Sequence, residues 1–437
     1  MPIVATKLRK PARDFADHTR HVIALRLLPF LFVVYITNYI DRTNLAYAAL
    51  EMSHDLGLSD RVFGLSAGIF FVSYVALQVP GALLVERWSA RRAIASIMIA
   101  WGLLTALTAL VHSAPQLYAA RFVLGAAEAG FFPGVVVYLS HWFIQEDRAK
   151  ASSDFMAAIP LSFIIGSPLA GWILGRHWLG FDGWRWLFIL EGLPAVLLGT
   201  AAFFFLTDWP RQASWLTAEQ QRWVSEKLEE EKPRNPGMDS AWQPLRSRSV
   251  LMLCSIAFLE YFAAYTFVFW FPTLLKRMSG LPNATVGWLG TIPYVVALVA
   301  MQVNGWHSDK MQERRWHAAT PVFLATAGLL GLLVLPRAGT PVSLGLFSLV
   351  CCCYSFLPVF WAMPSELLTG SAAAVAVGLI NGVGSVAGFA GPYAFGYLAT
   401  RTGSYASGLV LMLLCAATAG GLLLCVPKTT SLPPGEG

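Results

Sequence analysis

Long apolar runs alternate with short polar turns along the whole chain. Stretches dominated by Leu, Val, Ala, Ile and Phe occupy residues 24–49, 61–85, 93–112, 115–142, 151–175, 185–207, 249–274, 284–306, 317–336, 340–364, 370–399 and 403–426. Each holds about 20 residues or more, the length a helix needs to cross a hydrocarbon layer of ~30 Å. The pattern predicts an all-α membrane protein with twelve transmembrane helices. Proline and glycine recur inside the runs (Pro80, Gly125, Pro133, Pro168, Gly171, Pro364, Pro392). Neighbouring helices can satisfy the backbone groups that such residues free, so the runs still read as spans. One long polar stretch, 208–248, divides them six and six, and its residues 214–232 read as an amphipathic surface helix. The predicted organisation is a tail (1–23), a six-helix bundle (24–207), a linker (208–248), a second six-helix bundle (249–426) and a tail (427–437).

The two halves echo each other. Glu86-Arg87 after the second run is followed by Arg91 and Arg92, and Asp309-Lys310 after the eighth by Arg314 and Arg315, at an offset of 223 residues. Pro168 to Gly171 in the fifth run and Pro392 to Gly396 in the eleventh stand 224 apart. Two independent features at nearly one offset predict a duplicated unit and pseudo-symmetric bundles.

Composition sharpens the class. Only 13% of the 437 residues are charged, against 56% hydrophobic, whereas soluble domains carry about 25% charged residues. The solvent over most of the chain is therefore lipid. Twelve spans put both termini on one side. That side holds twenty-one Lys and Arg residues in its loops and tails, the other side seven. The asymmetry predicts cytoplasmic termini. Residues 1–24 lack the apolar core and cleavage site of a signal peptide, so the first run is expected to stay in the mature protein. The six cysteines lie inside apolar runs without metal-ligand spacing and read as small buried residues. Without a nucleotide-binding loop, a metal cluster or a soluble domain, an enzyme is not expected, and no cofactor or nucleic acid is implied.

The informative residues are the charges that interrupt the spans, because ionisable groups at membrane depth are costly and by default functional. Asp41 and Arg42 lie in the first span, Arg121 and Glu128 in the fourth. Arg121 and Glu128 are two helical turns apart and share a face. Two acids and two bases brought together can neutralise one another and also trade partners. An anion arriving at Arg42 would free Glu128 to take a proton. The alternative is a static ion-pair cluster that only holds the bundle together. Glu260, midway along the seventh span, is either a further proton or substrate group or a bond to a neighbouring helix, with Tyr294 as a candidate partner. Glu191 is expected to be structural, near Arg185. His141, at a helix end, is left out of the site. The aromatic stripe of the seventh span (Tyr261, Phe262, Tyr265, Phe267, Phe269, Trp270) either lines a pocket or packs.

The acid-base pair followed by two arginines on a short turn resembles the signature loop of the major facilitator superfamily over the whole chain. Within it, Asn38-Tyr-Ile-Asp41-Arg42-Thr-Asn44-Leu45 is similar to the first-span signature of the anion:cation symporter family. Arg121-Phe-Val-Leu-Gly125-Ala-Ala-Glu128-Ala-Gly130-Phe-Phe-Pro133-Gly134 is similar to its fourth-span signature. Tyr74 to Gly81, Trp184-Arg185-Trp186 with Glu191 to Pro194, and Gly378-Leu-Ile-Asn381-Gly382 also fit. The resemblance implies the fold of that superfamily and a secondary transporter that moves a small organic carboxylate together with protons by alternating access. It implies that Arg42 binds the carboxylate, that Asp41 and Glu128 take protons with Arg121 beside them, and that Tyr39, Tyr74 and Asn381 line the pocket, with Tyr265 and Trp270 as further lining candidates. It also implies that the two loops (Glu86, Arg87, Arg91, Arg92; Asp309, Lys310, Arg314, Arg315) act as gating latches on the cytoplasmic face of an inner membrane. A monomer is expected. Hexonate carriers of that family place a glutamine in the fifth span. Here Ala157 to Ser162 is apolar, which argues against a polyhydroxylated acid. A sugar-acid symporter and a drug:proton antiporter are the alternatives. Arg42 beside Asp41 argues against cationic drugs.

Overall fold

The computed structural model describes residues 3–144, 147, 157–231, 247–367 and 370–427, with side chains described from Asp14 onward except at 365–374. Arg148, Lys150, Lys232, Arg234, Arg246 and Lys428, which contribute to the predicted charge asymmetry, lie outside the described residues, as do the side chains of Lys7, Arg9, Lys10 and Arg13.

Among the described residues, eleven helices are long and apolar enough to cross a membrane, and a twelfth, Ala158–Ile173, is apolar but shorter. The first span is the C-terminal part of a 53-residue helix, Ile3–Asp55. The others of the first half are Asp60–Arg87, Ala90–Thr108, Ala114–Glu128 continued by Phe131–Ser140, Ala158–Ile173 and Gly183–Phe205. The second half has Arg248–Ser279, Asn283–Met311, Arg315–Val334, Thr340–Cys351 continued through a 3-10 turn into Phe356–Leu367, Gly370–Thr402 and Ala406–Cys425. The linker helix is Ala218–Glu230. It starts later than hydropathy suggests because Thr217 and Gln220 form a reciprocal capping box there.

Two spans are interrupted, and the cause is the same. The fourth breaks at Ala129-Gly130, the tenth at Cys352–Ser355. Pro133 and Pro358 follow, 225 residues apart. A proline cannot donate to the carbonyl four residues back and its ring crowds that carbonyl, here Ala129 and Tyr354. The duplication therefore extends to the backbone irregularities.

The linker, the 86–92 turn and the 309–315 turn share one side of the molecule, here the linker side; the turns at 55–60 and 175–183 lie on the opposite side. The halves are tightly sealed on that opposite side. The second span meets the eleventh so closely that a Cβ at Gly64 would lie 2.4 Å from the carbonyl oxygen of Pro392, and one at Gly68 2.8 Å from that of Phe389. Across the other seam, a Cβ at Gly171 would lie 2.8 Å from Gly287 Cα. Polar ties reinforce the seal. Arg61 N–H donates to Thr400 Oγ1 (2.9 Å), Asn283 Nδ2 to Glu51 Oε1 (2.8 Å) and Tyr405 Oη to Asp60 Oδ1 (3.0 Å). Arg277 stands 3.9 Å from the same Asp60 oxygen.

On the linker side the turns are bound within their own halves. Asp208 accepts from Ser89 Oγ (2.8 Å) and the Arg91 N–H (2.8 Å), which anchors the third span. Arg314 donates to Ser308 Oγ (3.0 Å) and pairs with Asp309. Glu86, Arg87, Arg92 and Lys310 are exposed, and Arg315 is half-buried.

Candidate functional site

Consecutive residues of a helix point about 100° apart, and that angle divides the charges of the first span. Arg42 faces the fourth span. Its Nε donates to Glu128 Oε2 (3.2 Å), and the same oxygen accepts from Asn38 Nδ2 (2.9 Å), one turn earlier. Asp41 faces the third span instead. Its two oxygens accept from Asn44 Nδ2 (2.9 Å) and Thr105 Oγ1 (2.9 Å). Arg42 and Glu128 form an ion pair; Asp41 is held by neutral donors. The four charges remain within electrostatic reach of one another, but a hydrogen bond joins only Arg42 and Glu128.

Arg121 faces Glu128 and Asp41 as a charge but bonds to neither. It is 1% exposed, and none of its three guanidinium nitrogens has a hydrogen-bond partner. Its nearest aromatic support is Phe70, whose ring centroid lies 4.8 Å from the guanidinium carbon. Arg42 also stands over Phe70 (5.7 Å), as well as over Tyr74 (4.8 Å) and Tyr39 (5.4 Å). The Arg42 side chain retains 11% exposure, while Glu128 has none. Arg42 Nη2 and Glu128 Oε1 are buried and unpartnered. The pair therefore keeps unused hydrogen-bonding capacity at one end of an aromatic box, an arrangement suited to a carboxylate.

The box is roofed toward the sealed side. Phe71 reaches Tyr265 of the seventh span (4.7 Å between ring centroids) and lies against Gly388. On the other seam Phe163 packs on Tyr294 (4.5 Å) and Tyr354 (5.6 Å), with Tyr39 beside it at 6.2 Å. Tyr265 thus joins Tyr39 and Tyr74 around one region. Asn381 is half-buried on the eleventh span, and no bond links its side chain to the Arg42 pair. Trp270 lies elsewhere. Its ring is wedged in the seal between Phe63 (5.0 Å) and Phe395 (4.7 Å), with Nε1 donating to the Pro392 carbonyl (3.3 Å).

In the fifth span Ser162 spends its hydroxyl on the Ile159 carbonyl (2.6 Å). Glu260 is 3% exposed and lines a small cavity with Cys353. Tyr294, the partner considered for it, packs instead with Phe163, Phe271 and Tyr354. Arg185 binds the carbonyls of Ala109 (2.5 Å) and Val111 (3.1 Å) rather than Glu191. Glu191 is left 3% exposed with Oε2 unpartnered. His141 stacks on Trp209 (4.1 Å), and burial pushes its imidazole below the ordinary histidine value.

Sequence reasoning missed Asn38, Asn44, Thr105 and Asp208. Asn38 and Asn44 stand three residues either side of Asp41 in an otherwise apolar run, which was an available signal. Thr105 and Asp208 carried none, because their partners are distant in the chain.

Residues 31–392 match the Major Facilitator Superfamily. A protein of Agrobacterium vitis named "Putative tartrate transporter" is 39% identical over 91% of this chain and 92% of its own. A quinolone resistance transporter of Acinetobacter baumannii is 33% identical over 91% and 92%. The fold is shared with a bacterial homologue of the human lysosomal transporter Spinster, in an inward-facing, unoccupied conformation (TM-score 0.76, 18% identity, covering 93% of this chain and 97% of that one). It is shared also with the xylose transporter XylE of Escherichia coli (TM-score 0.72, 14% identity, 92% and 99%). The apolar spans, the doubled loop and this match over most of the chain agree: the protein is a multi-pass membrane transporter, not an enzyme, and belongs to the major facilitator superfamily.

Proposed function

We propose that this transporter takes up a small organic carboxylate together with protons, as a member of the anion:cation symporter family. The observation that carries the reading is the Arg42–Glu128 pair, joined at one carboxylate oxygen inside an aromatic box, with Arg42 retaining exposed surface. A carboxylate with two oxygens competes for the guanidinium, Glu128 loses its cation, and the freed acid takes a proton. Asp41, held by Thr105 and Asn44, is the second proton site. Arg121, buried without a hydrogen bond two turns from Glu128, biases both acids. Tyr39, Tyr74 and Tyr265 line the solute's place. Asn381 closes it from the eleventh span, and Trp270 acts at the edge of the site by holding the seal.

Charge balance favours coupling. A monoanion entering a negative-inside cell works against roughly 2.3 kcal/mol per 100 mV. Cotransport with more than one proton reverses that sign for a monoanion, so two acids suffice there, and two protons bring a dicarboxylate such as tartrate to electroneutral entry. The excess of basic residues on the linker side supports cytoplasmic termini in an inner membrane. With that orientation the sealed side is the outer one, and the conformation is inward-facing with both gating loops released. One chain contains the whole path, so a monomer suffices.

The relatives' tartrate names support a short acid. The spent hydroxyl of Ser162 and the apolar fifth span favour acids with few hydroxyls. The sugar-acid alternative would need its hydroxyls bound elsewhere. A second reading, drug:proton antiport, draws on the relative named for quinolone resistance. Proteoliposomes with an imposed inward proton gradient, screened with labelled organic acids and a quinolone, decide among these. The expected result is accumulation of at least one carboxylate, abolished by a protonophore and by Arg42→Ala. Outward quinolone movement without any carboxylate uptake overturns the proposal, and so does normal carboxylate uptake by Arg42→Ala.

A further inference from the structure

The duplicated halves differ in where they keep an acid. In the first half Asn38 of the first span donates to Glu128 of the fourth (2.9 Å), beside the proline-induced break. In the second half the equivalent spans are the seventh and tenth. Glu260 stands 222 residues after Asn38, and Cys353, in the tenth-span break, 225 after Glu128. Glu260 and Cys353 face one another, so acid and neutral partner have exchanged helices.

No cation accompanies the exchange. The cavity at Glu260 has room for about one water molecule. Its other walls are apolar: Val322, Ala325 and Leu329 from the ninth span, Met412 and Ala416 from the twelfth. Cys353 is the one other titratable side chain in the lining; Tyr261 and Tyr265 follow on the acid's own helix. Glu260 Oε2 is buried without a partner. A carboxylate in such a place carries its full desolvation cost, whereas a carboxylic acid does not.

We propose that Glu260 is a proton-carrying site separate from the anion site, housed inside the second bundle and loaded in this conformation. It rests on the proton-coupled reading above. The seventh span also carries Tyr265 against Phe71 and Trp270 in the seal. A movement of that span which opens the seal also moves Glu260 relative to the ninth and twelfth spans. Water then reaches the acid, which gives its proton to that water as hydronium and regains one when the cavity closes.

The experiment is the proton-to-solute ratio, read as the reversal potential of uptake in proteoliposomes clamped with potassium and valinomycin, with the carboxylate found in the screen. Glu260→Gln should lower the ratio by one proton while uptake persists; an unchanged ratio overturns the site. A second measurement does not need the variant to fold. Dicyclohexylcarbodiimide adds to protonated carboxyls; the closed cavity shields Glu260 from it at rest, so mass spectrometry of the wild-type protein should find Glu260 modified during proton-driven uptake and not at rest. A Glu260 that stays unmodified during uptake overturns the proposal. A wild type with no proton-driven uptake defeats proton coupling as a whole. Wild-type coupling with an unaltered ratio in the variant defeats only this assignment.

Discussion

The two bundles share a backbone plan and differ in chemistry. Both carry the basic turn after their second span, and both bend their fourth span four residues before a proline. The first bundle then fills its interior with charge: Asp41 and Arg42 on its first span, Arg121 and Glu128 on its fourth. The second, among the described side chains, holds aromatic rings and one buried acid, Glu260, without a basic partner in its cavity. The difference teaches that fold and coupling chemistry obey separate constraints. The basic turns and the proline bends recur in both halves as parts of one backbone plan. Buried charge is tolerated only where a partner or a function accompanies it, and one half suffices to provide that.

The largest effect expected of this contrast is at Glu128. Glu128→Gln removes the acid but keeps a hydrogen-bonding amide for Asn38 and Arg42. Uphill uptake driven by a pH gradient should be lost, while downhill counterflow continues. Tyr265→Phe in the second bundle should leave coupling intact. Loss of coupling in Tyr265→Phe with retention in Glu128→Gln would invert the comparison.

A smaller effect is expected at the seams. Gly64→Ala brings a methyl group against the Pro392 carbonyl, which cannot yield cheaply. Overpacking of this kind costs roughly 1–3 kcal/mol, charged here against the sealed conformation alone. Gly382→Ala in the second bundle meets open space. Thiol labelling of a cysteine placed at Ala67, buried one turn from Gly64, should rise about tenfold or more in the Gly64→Ala background, as 1.4 kcal/mol corresponds to tenfold, and remain unchanged with Gly382→Ala. Equal labelling in both would deny that this seam is where the halves close.

The smallest effects are expected in the two loops. Asp208→Ala and Glu313→Ala each remove a carboxylate that accepts backbone N–H groups at a helix start, from Arg91 in one case and from Trp316 and His317 in the other. Loss of such a cap costs about 1 kcal/mol, visible as a slightly lower unfolding temperature in detergent. Burial works against ionisation of Glu313, but the Trp316 N–H and His317 outweigh it and hold the carboxyl below the usual glutamate value. Its stabilisation is therefore complete above that ordinary value and disappears as pH falls through the lower folded-state value. The gap between wild type and Glu313→Ala should close at acidic pH; a gap that widens there would contradict the assignment.

Much of this was legible in the sequence. Span length and the twofold offset follow from hydropathy and spacing alone, since lipid leaves the backbone few other ways to satisfy its hydrogen bonds. The charged positions were legible for the same reason: Asp41, Arg42, Arg121 and Glu128 stand out against an apolar background. Their pairing was not. Adjacency of Asp41 and Arg42 suggested a single cluster, yet the helical rotation between them sends Asp41 to Thr105, 64 residues away. Trp270 read as pocket lining because hydropathy cannot separate a ring facing solute from one facing a seam. Glu260 read as a group of uncertain partner, and only the packing of the ninth and twelfth spans around it revealed an apolar chamber. The sequence by itself determined that this chain lives in a membrane as two related bundles with a few costly charges. Tertiary structure alone decided which charges meet and which side is closed, because contacts between helices depend on their rotation and approach, and neither is written in the spacing of residues along one helix.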